Sequence, residues 1–278
     1  MDKIKIGFQP APQHGEYDVL RQRWREAEQL GVDGLYASDH FFAQKVPLQF
    51  GSGERHEYPA ANNGPNFEAM TIQTAMAALT TKPTIGCLVH ANSYRNPNLL
   101  ADMARTIDHI SGGRFVLGIG TGYLEQDYLE YGYELGTPKS RYQDLARALP
   151  IIRDRFTKLI PPPVHRIPIL IAAMGEKWGL PIVAEHADMW HVFGPPEKLA
   201  HKIGLLKEIC AKIGRNFDEI ELTTWYFPHM LQQEQDPEDF VKLGIRNIIN
   251  VQQGPDWDLG LVKDLLAWRA RRSESIAT

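Results

Sequence analysis

Two histidines stand in polar clusters that suit proton transfer. His40 lies in Ser38-Asp39-His40-Phe41, and His90 opens His90-Ala91-Asn92-Ser93-Tyr94-Arg95-Asn96-Pro97. An imidazole titrates near neutrality, so it can accept or donate a proton at physiological pH. A metal centre would need converging carboxylates or further histidines. No HxxxH or HxH pair occurs, and His186 and His191 fall on different predicted elements, so no metal is expected. The absence of a Gly-x-Ser-x-Gly elbow argues against a serine hydrolase. Glu125 and Asp127 suggest acid–base work, but the plainer reading is a solvated turn or a salt bridge to Arg141. Gly118, Gly120 and Gly122 form a Gly-x-Gly-x-Gly run. It either lets a flat ligand approach the backbone with no Cβ in the way, or simply makes a turn. Ala172-Ala173-Met174-Gly175 opens a predicted helix, where free amides favour an anion such as phosphate. Close packing of small residues explains the same composition.

These clusters need elements to hold them. Apolar patterning predicts strands at residues 3–9, 33–37, 84–89, 114–119, 167–172, 188–193, 219–226 and 247–251. Helices are predicted between and after them, at 18–30, 67–79, 98–110, 140–159, 177–186, 197–213, 237–243 and 259–271. Gly112 or Gly113 ends the third helix by taking the left-handed conformation. Strands buried on both faces and alternating with helices call for a parallel sheet. Eight such units predict an α/β fold, a (β/α)8 TIM barrel, as one domain over residues 1–278. Barrel enzymes work from the carboxyl ends of their strands, which is where the clusters fall. Strand six carries Trp190 and His191, and strand seven carries Trp225 and Tyr226. Residues 41–66 are too long for a plain connection and hold Phe41, Phe42, Phe50 and Tyr58; they are expected to form a lid-like insertion after strand two.

Composition fits that architecture. The chain has 278 residues, 43% hydrophobic and 23% charged, enough to bury a large core without staples. A net charge of −4, with no basic cluster beyond Arg269, Arg271 and Arg272, gives no hint of a nucleic-acid partner. Cys87 and Cys210 have no metal spacing and suggest no disulfide framework, which suits a cytoplasmic protein. The first six residues read as a strand rather than a signal peptide, and no apolar run approaches the ~20 residues that span a bilayer.

The pieces in this order resemble the luciferase-like monooxygenase family, (β/α) barrels that use FMN or the deazaflavin coenzyme F-420. The similar segments are Ala27 to Phe41 (with Ser38-Asp39-His40), Tyr94-Arg95-Asn96-Pro97, Ser111-Gly112-Gly113-Arg114 to Gly122, Pro168 to Gly175, and Ala187-Asp188-Met189-Trp190. The last two βα units match only by pattern. The resemblance implies that Asp39 and His40 contact the cofactor ring, with His40 as the catalytic proton donor. It implies that Cys87, Leu88 and Val89 form a bulge behind the ring, often through a non-proline cis peptide. His90 stands where relatives often carry threonine. Gly120, Thr121 and Gly122 lie beside the cofactor, and Ala172, Ala173, Met174, Gly175 and Glu176 form the turn for its phosphate. Two departures stand out. Tyr123 replaces the glutamate that follows the strand-four loop in the family's sugar-phosphate dehydrogenases, and the long insertion before strand eight is missing. The deazaflavin subgroup is the nearer likeness, implying hydride transfer between coenzyme F-420 and a small organic substrate. The alternatives are an FMN-dependent monooxygenase fed by a flavin or deazaflavin reductase, and a non-catalytic flavin-binding barrel. A homodimer is compatible with either; no nucleic acid or membrane is expected as a partner.

Overall fold

The computed structural model describes residues 3–43, 64–227 and 236–277. Most of the expected lid, including Phe50 and Tyr58, lies outside the described residues. The strands are β1 (Lys5–Pro10), β2 (Gly34–Ala37), β3 (Thr84–Cys87), β4 (His90–Ala91), β5 (Leu117–Gly120), β6 (Ile169–Ala172), β7 (Met189–His191), β8 (Glu221–Tyr226) and β9 (Asn247–Gln252). All pair in parallel, in the order β3-β2-β1-β9-β8-β7-β6-β5-β4. A parallel bridge from Ile85 to Phe115 joins the two ends into a barrel. The expected eight strands become nine pieces because the third breaks at Leu88–Val89, whose peptide bond is cis.

Helices α1 (Tyr17–Leu30), α2 (Ala69–Leu79), α3 (Pro97–Ser111), α4 (Glu125–Tyr131), α5 (Pro138–Lys158), α6 (Gly179–His186), α7 (Pro196–Ile213), α8 (Pro237–Lys242) and α9 (Gly260–Ala277) cover the outside. Proline opens α3, α5, α7 and α8, where its missing N–H has no intrahelical partner to lose. Gly112 ends α3 at φ +68°, as the sequence predicts. Helix α4 is a correction: the segment read as a solvated turn is helical, and it carries Asp127 inward. Arg114 has a structural use in the Ser-Gly-Gly-Arg segment. Its guanidinium donates to the carbonyls of Ala77, Thr80 and Pro83, at 2.9, 2.8 and 2.6 Å, and so ties the end of α2 to the approach to β5.

The core has two layers. Ile6, Phe8, Leu35, Leu117, Ile119, Ile169 and Ile171 face the helices. Tyr36, Leu88, Val116, Leu170, Met189 and Ile249 fill the barrel itself. Tyr36 fits there because Gly7, Gly34 and Gly86 surround it; a Cβ on any of them would lie 2.8–2.9 Å from its ring. Side chains on a strand alternate, so two residues further along lies the next inward position. That rule lifts Gly7 to Gln9, Tyr36 to Ser38, Met189 to His191 and Ile249 to Val251. Gln9, His191 and Val251 lie on the floor of the site, and Ser38 on its rim.

Candidate active site

A cavity of about 250 Å³ opens above that floor, at the carboxyl ends of the strands. Gln9, His191, Trp225 and Val251 line its floor, and Leu88 and Val89 form a wall from the broken third strand. Ser38 and His40, Gly120 to Tyr123, and Ala172 to Met174 complete the rim, with Tyr142 reaching in from α5.

His40 is held by a carboxylate. Its Nδ1 lies 2.8 Å from Asp127 Oδ2. Asp127 is completely buried, and it also accepts from the Tyr94 hydroxyl at 2.9 Å and the Phe41 amide at 3.1 Å. A buried carboxylate needs such donors to offset lost hydration. This overturns the solvated-turn reading of Asp127, and Arg141 is not its partner. The carboxylate accepts from Nδ1–H, which fixes the imidazole tautomer and leaves the ring's other nitrogen as the one able to exchange a proton. Tyr123 packs edge-on to His40, with ring centroids 5.7 Å apart. The sequence names Asp127 but gives no periodic signal that would turn it inward, because α4 is only seven residues long, about two turns.

Asp39 plays a different part. Its carboxylate is turned into the wall, where Arg95 grips it with two N–H groups at 2.7 and 2.9 Å and the Ala91 amide donates at 3.1 Å. Arg95 also reaches Glu68. Burial would raise the Asp39 carboxyl, but the neighbouring His90 ring and the Arg95 charge outweigh it and hold it well below the usual carboxylate range. His90 Nδ1 stands 3.4 Å from Asp39, at the outer limit of a hydrogen bond, so Arg95 is the stronger partner. The expectation that His90, like His40, stands ready for proton transfer at a strand end is corrected here. The His90 ring is fully buried and does not line the cavity, and burial lowers its pKa despite the pull of Asp39.

The glycine run also changes meaning. The spaces where Cβ atoms would stand are filled by the protein. A Cβ on Gly118 would collide with the Cys87 carbonyl oxygen, and one on Gly120 would lie 2.7 Å from Val89 Cγ2. Gly122 has φ +70°, and the Tyr128 hydroxyl occupies its Cβ position. The glycines therefore admit the broken third strand and Tyr128, while Gly120, Thr121 and Gly122 still line the cavity. Cys87 packs in the layer between strands and helices, away from the cavity; Leu88 and Val89 line it.

In the 172–176 turn, Ala172, Ala173 and Met174 line the cavity. Gly175 lies under Tyr142, with a Cβ position 2.8 Å from its hydroxyl, and its carbonyl accepts from Gly179 at 2.7 Å. Glu176 points outward to Lys202 at 2.5 Å. Buried Trp190 braces the turn by donating to the Ala173 carbonyl at 3.0 Å. On the floor, Trp225 Nε1 donates to Gln9 Oε1 at 2.6 Å, and Gln9 donates to the Ala37 and Leu88 carbonyls at 3.3 and 3.4 Å. Gln9 and Tyr142 are site residues the sequence reading misses, and Ser38, named only as a neighbour of His40, lines the cavity as well. The inward alternation of β1 and β2 could have flagged Gln9 and Ser38. Among the described residues, no group of three or more His, Cys, Asp or Glu is placed to hold a metal ion, and no helix is long and apolar enough to cross a membrane.

A family model described as luciferase-like monooxygenase matches residues 4–276. The F-420-dependent glucose-6-phosphate dehydrogenase of Amycolatopsis mediterranei is 29% identical over 202 residues, covering 66% of this chain and 54% of the relative. The pyrimidine monooxygenase RutA of Variovorax paradoxus is 27% identical over 249 residues, covering 81% of this chain and 62% of the relative. The chain thus spans roughly half to two thirds of the length of these curated relatives. In three dimensions the chain is similar to an F-420-dependent secondary alcohol dehydrogenase solved with an F-420–acetone adduct. The TM-score is 0.77 at 15% identity, over 95% of this chain and 98% of the other, a likeness of fold.

Proposed function

The chain belongs to the luciferase-like monooxygenase family, and from that premise we propose that it is an oxidoreductase moving a hydride between coenzyme F-420 and a small organic substrate. The observation that carries this reading is the His40–Asp127 pair on the cavity rim. Converting an alcohol to a carbonyl compound moves a proton as well as a hydride, and a carboxylate-oriented imidazole is a group suited to that proton. The cavity fits a flat heterocycle. Leu88 and Val89 supply an apolar back wall, and the Ser38 hydroxyl is buried on the lining with no hydrogen-bond partner among the described residues. The backbone of Ala172 to Gly175 would hold the phosphate.

When bound, the deazaflavin supplies a two-electron hydride acceptor or donor. The residues do the rest. In the oxidative direction His40 takes the hydroxyl proton of the substrate as the hydrogen on the carbinol carbon leaves with its electron pair; the carbonyl product forms, and His40 later releases its proton. In the reductive direction His40 gives that proton to the developing alkoxide. Asp127 keeps the ring in register and stabilises its charged form. Leu88, Val89 and Tyr142 exclude water from the space.

The relatives named for pyrimidine oxygenation support a second reading, an FMN-dependent monooxygenase that receives reduced flavin from a reductase. Titrating coenzyme F-420 and FMN against tryptophan fluorescence separates the two, because Trp225 lines the cavity. Tighter binding of coenzyme F-420 is expected. Micromolar FMN binding with no deazaflavin binding overturns it in favour of the oxygenase.

A further inference from the structure

His191 belongs to the uppermost inward layer of the barrel, next along β7 from the buried Met189. It is 1% exposed and lines the cavity floor. Its Nδ1 is 2.8 Å from Thr223 Oγ1. Thr223 is completely buried, so its hydroxyl proton needs an acceptor, and Nδ1 is the one the described residues provide. The hydroxyl donates, and the ring proton then belongs on Nε2. That nitrogen is buried and has no partner among the described residues. A buried donor without a partner is costly, and such groups in a lining wall mark places where a ligand completes the bonding. The neighbours are apolar rings: Trp225 stands edge-on with its centroid 4.7 Å away, and Phe193 packs against Trp225 at 4.8 Å.

The charge of the cavity points the same way. Among the described residues no lysine or arginine lines it, and the one lining carboxylate, Asp39, is neutralised by Arg95. Burial pushes the His191 imidazole down to about 3, so it is uncharged at neutral pH. An anionic substrate on this floor would lose its hydration with no compensating charge.

We propose that His191 Nε2–H is the substrate-reading hydrogen bond of this cavity, and that it selects uncharged compounds whose carbonyl or hydroxyl oxygen sits against Phe193 and Trp225. The substrate class rests on the oxidoreductase reading above; the binding site itself does not.

Two measurements test it. Long-range 1H–15N spectra of the histidine side chains report the tautomer directly. His191 should hold its proton on Nε2 from about pH 5 to pH 8. Cyclohexanone, raised to its solubility limit, should move the Nε2 resonance, and cyclohexanecarboxylate should leave it in place. A proton on Nδ1, or no response to the ketone, overturns the proposal. For turnover, His191→Leu should lower kcat/KM for uncharged carbonyl compounds by about tenfold to a hundredfold, chiefly through KM, with cofactor affinity unchanged. His191→Gln, which restores a donor, should recover part of that loss. A leucine variant with parental kcat/KM, or a parent that prefers anionic substrates, overturns the proposal. If the ketone moves His191 but no reduced cofactor is oxidised by any carbonyl compound, the oxidoreductase reading fails while the binding site stands.

Discussion

Asp127→Asn is the sharpest test of the His40 assignment. The substitution keeps the shape of the side chain and changes its polarity at one atom. The remaining oxygen can still accept from the Phe41 amide, as Oδ1 does now at 3.1 Å. The new amide nitrogen replaces Oδ2, which faces both His40 Nδ1 at 2.8 Å and the Tyr94 hydroxyl at 2.9 Å. An amide nitrogen donates, so His40 Nδ1 must become the acceptor and the ring proton must move to Nε2. The imidazole then cannot take the substrate's proton, and turnover should fall by about 10²–10⁴. Losing a charged acceptor should cost about 1–3 kcal/mol. At roughly 2–4 °C per kcal/mol for a chain of this size, Tm should drop by about 2–12 °C and leave a folded protein. The assay is the absorbance of coenzyme F-420 during alcohol oxidation, with 15N spectra reporting the His40 tautomer. Combining the variant with His40→Ala should add little to either alone, because the pair acts as a unit. A variant that turns over within about threefold of the parent, or a His40 that keeps its proton on Nδ1, refutes the reasoning.

Three further outcomes follow from the same geometry. Gly120→Val places a side chain where Val89 Cγ2 stands 2.7 Å from the Cβ position; it should cost about 1–3 kcal/mol and push Val89 into the cavity, weakening cofactor binding while circular dichroism shows an intact fold. Normal cofactor affinity in that variant would remove the Val89 wall from the site. Arg95→Met strands the Asp39 charge inside the protein and should cost about 3–5 kcal/mol in urea unfolding, with Arg95→Lys recovering only part because an ammonium cannot make both bonds. Asp39 itself has a lowered folded pKa, so its contribution is complete above the unfolded value of about 3.9 and fades as pH falls below it. The stability difference between the parent and Asp39→Asn should therefore be flat from about pH 5 to pH 8 and shrink in more acid solution; a difference that grows on acidification contradicts the Arg95 clamp.

The alternation of strands and helices, the barrel they close and the placement of His40 at a strand end are legible in the sequence. They depend on local signals: apolar runs of strand length and Gly112 after a helix. The bulge at Leu88 and Val89 and the family itself are legible too, as a resemblance carried by ordered short motifs. What the sequence leaves open is which way side chains turn once distant elements meet. His40 and His90 look equivalent as letters, yet one lines the cavity and the other is sealed behind it against Asp39. The glycines at 118, 120 and 122 look like room for a ligand, yet the third strand and Tyr128 take that room. Asp127 lies 87 positions from His40 in the chain, and no local pattern links them. Periodicity is a property of one element and can be read along the chain. The pairing of a carboxylate with an imidazole, or of Thr223 with His191, arises from packing between elements, and only the closed barrel brings those atoms together.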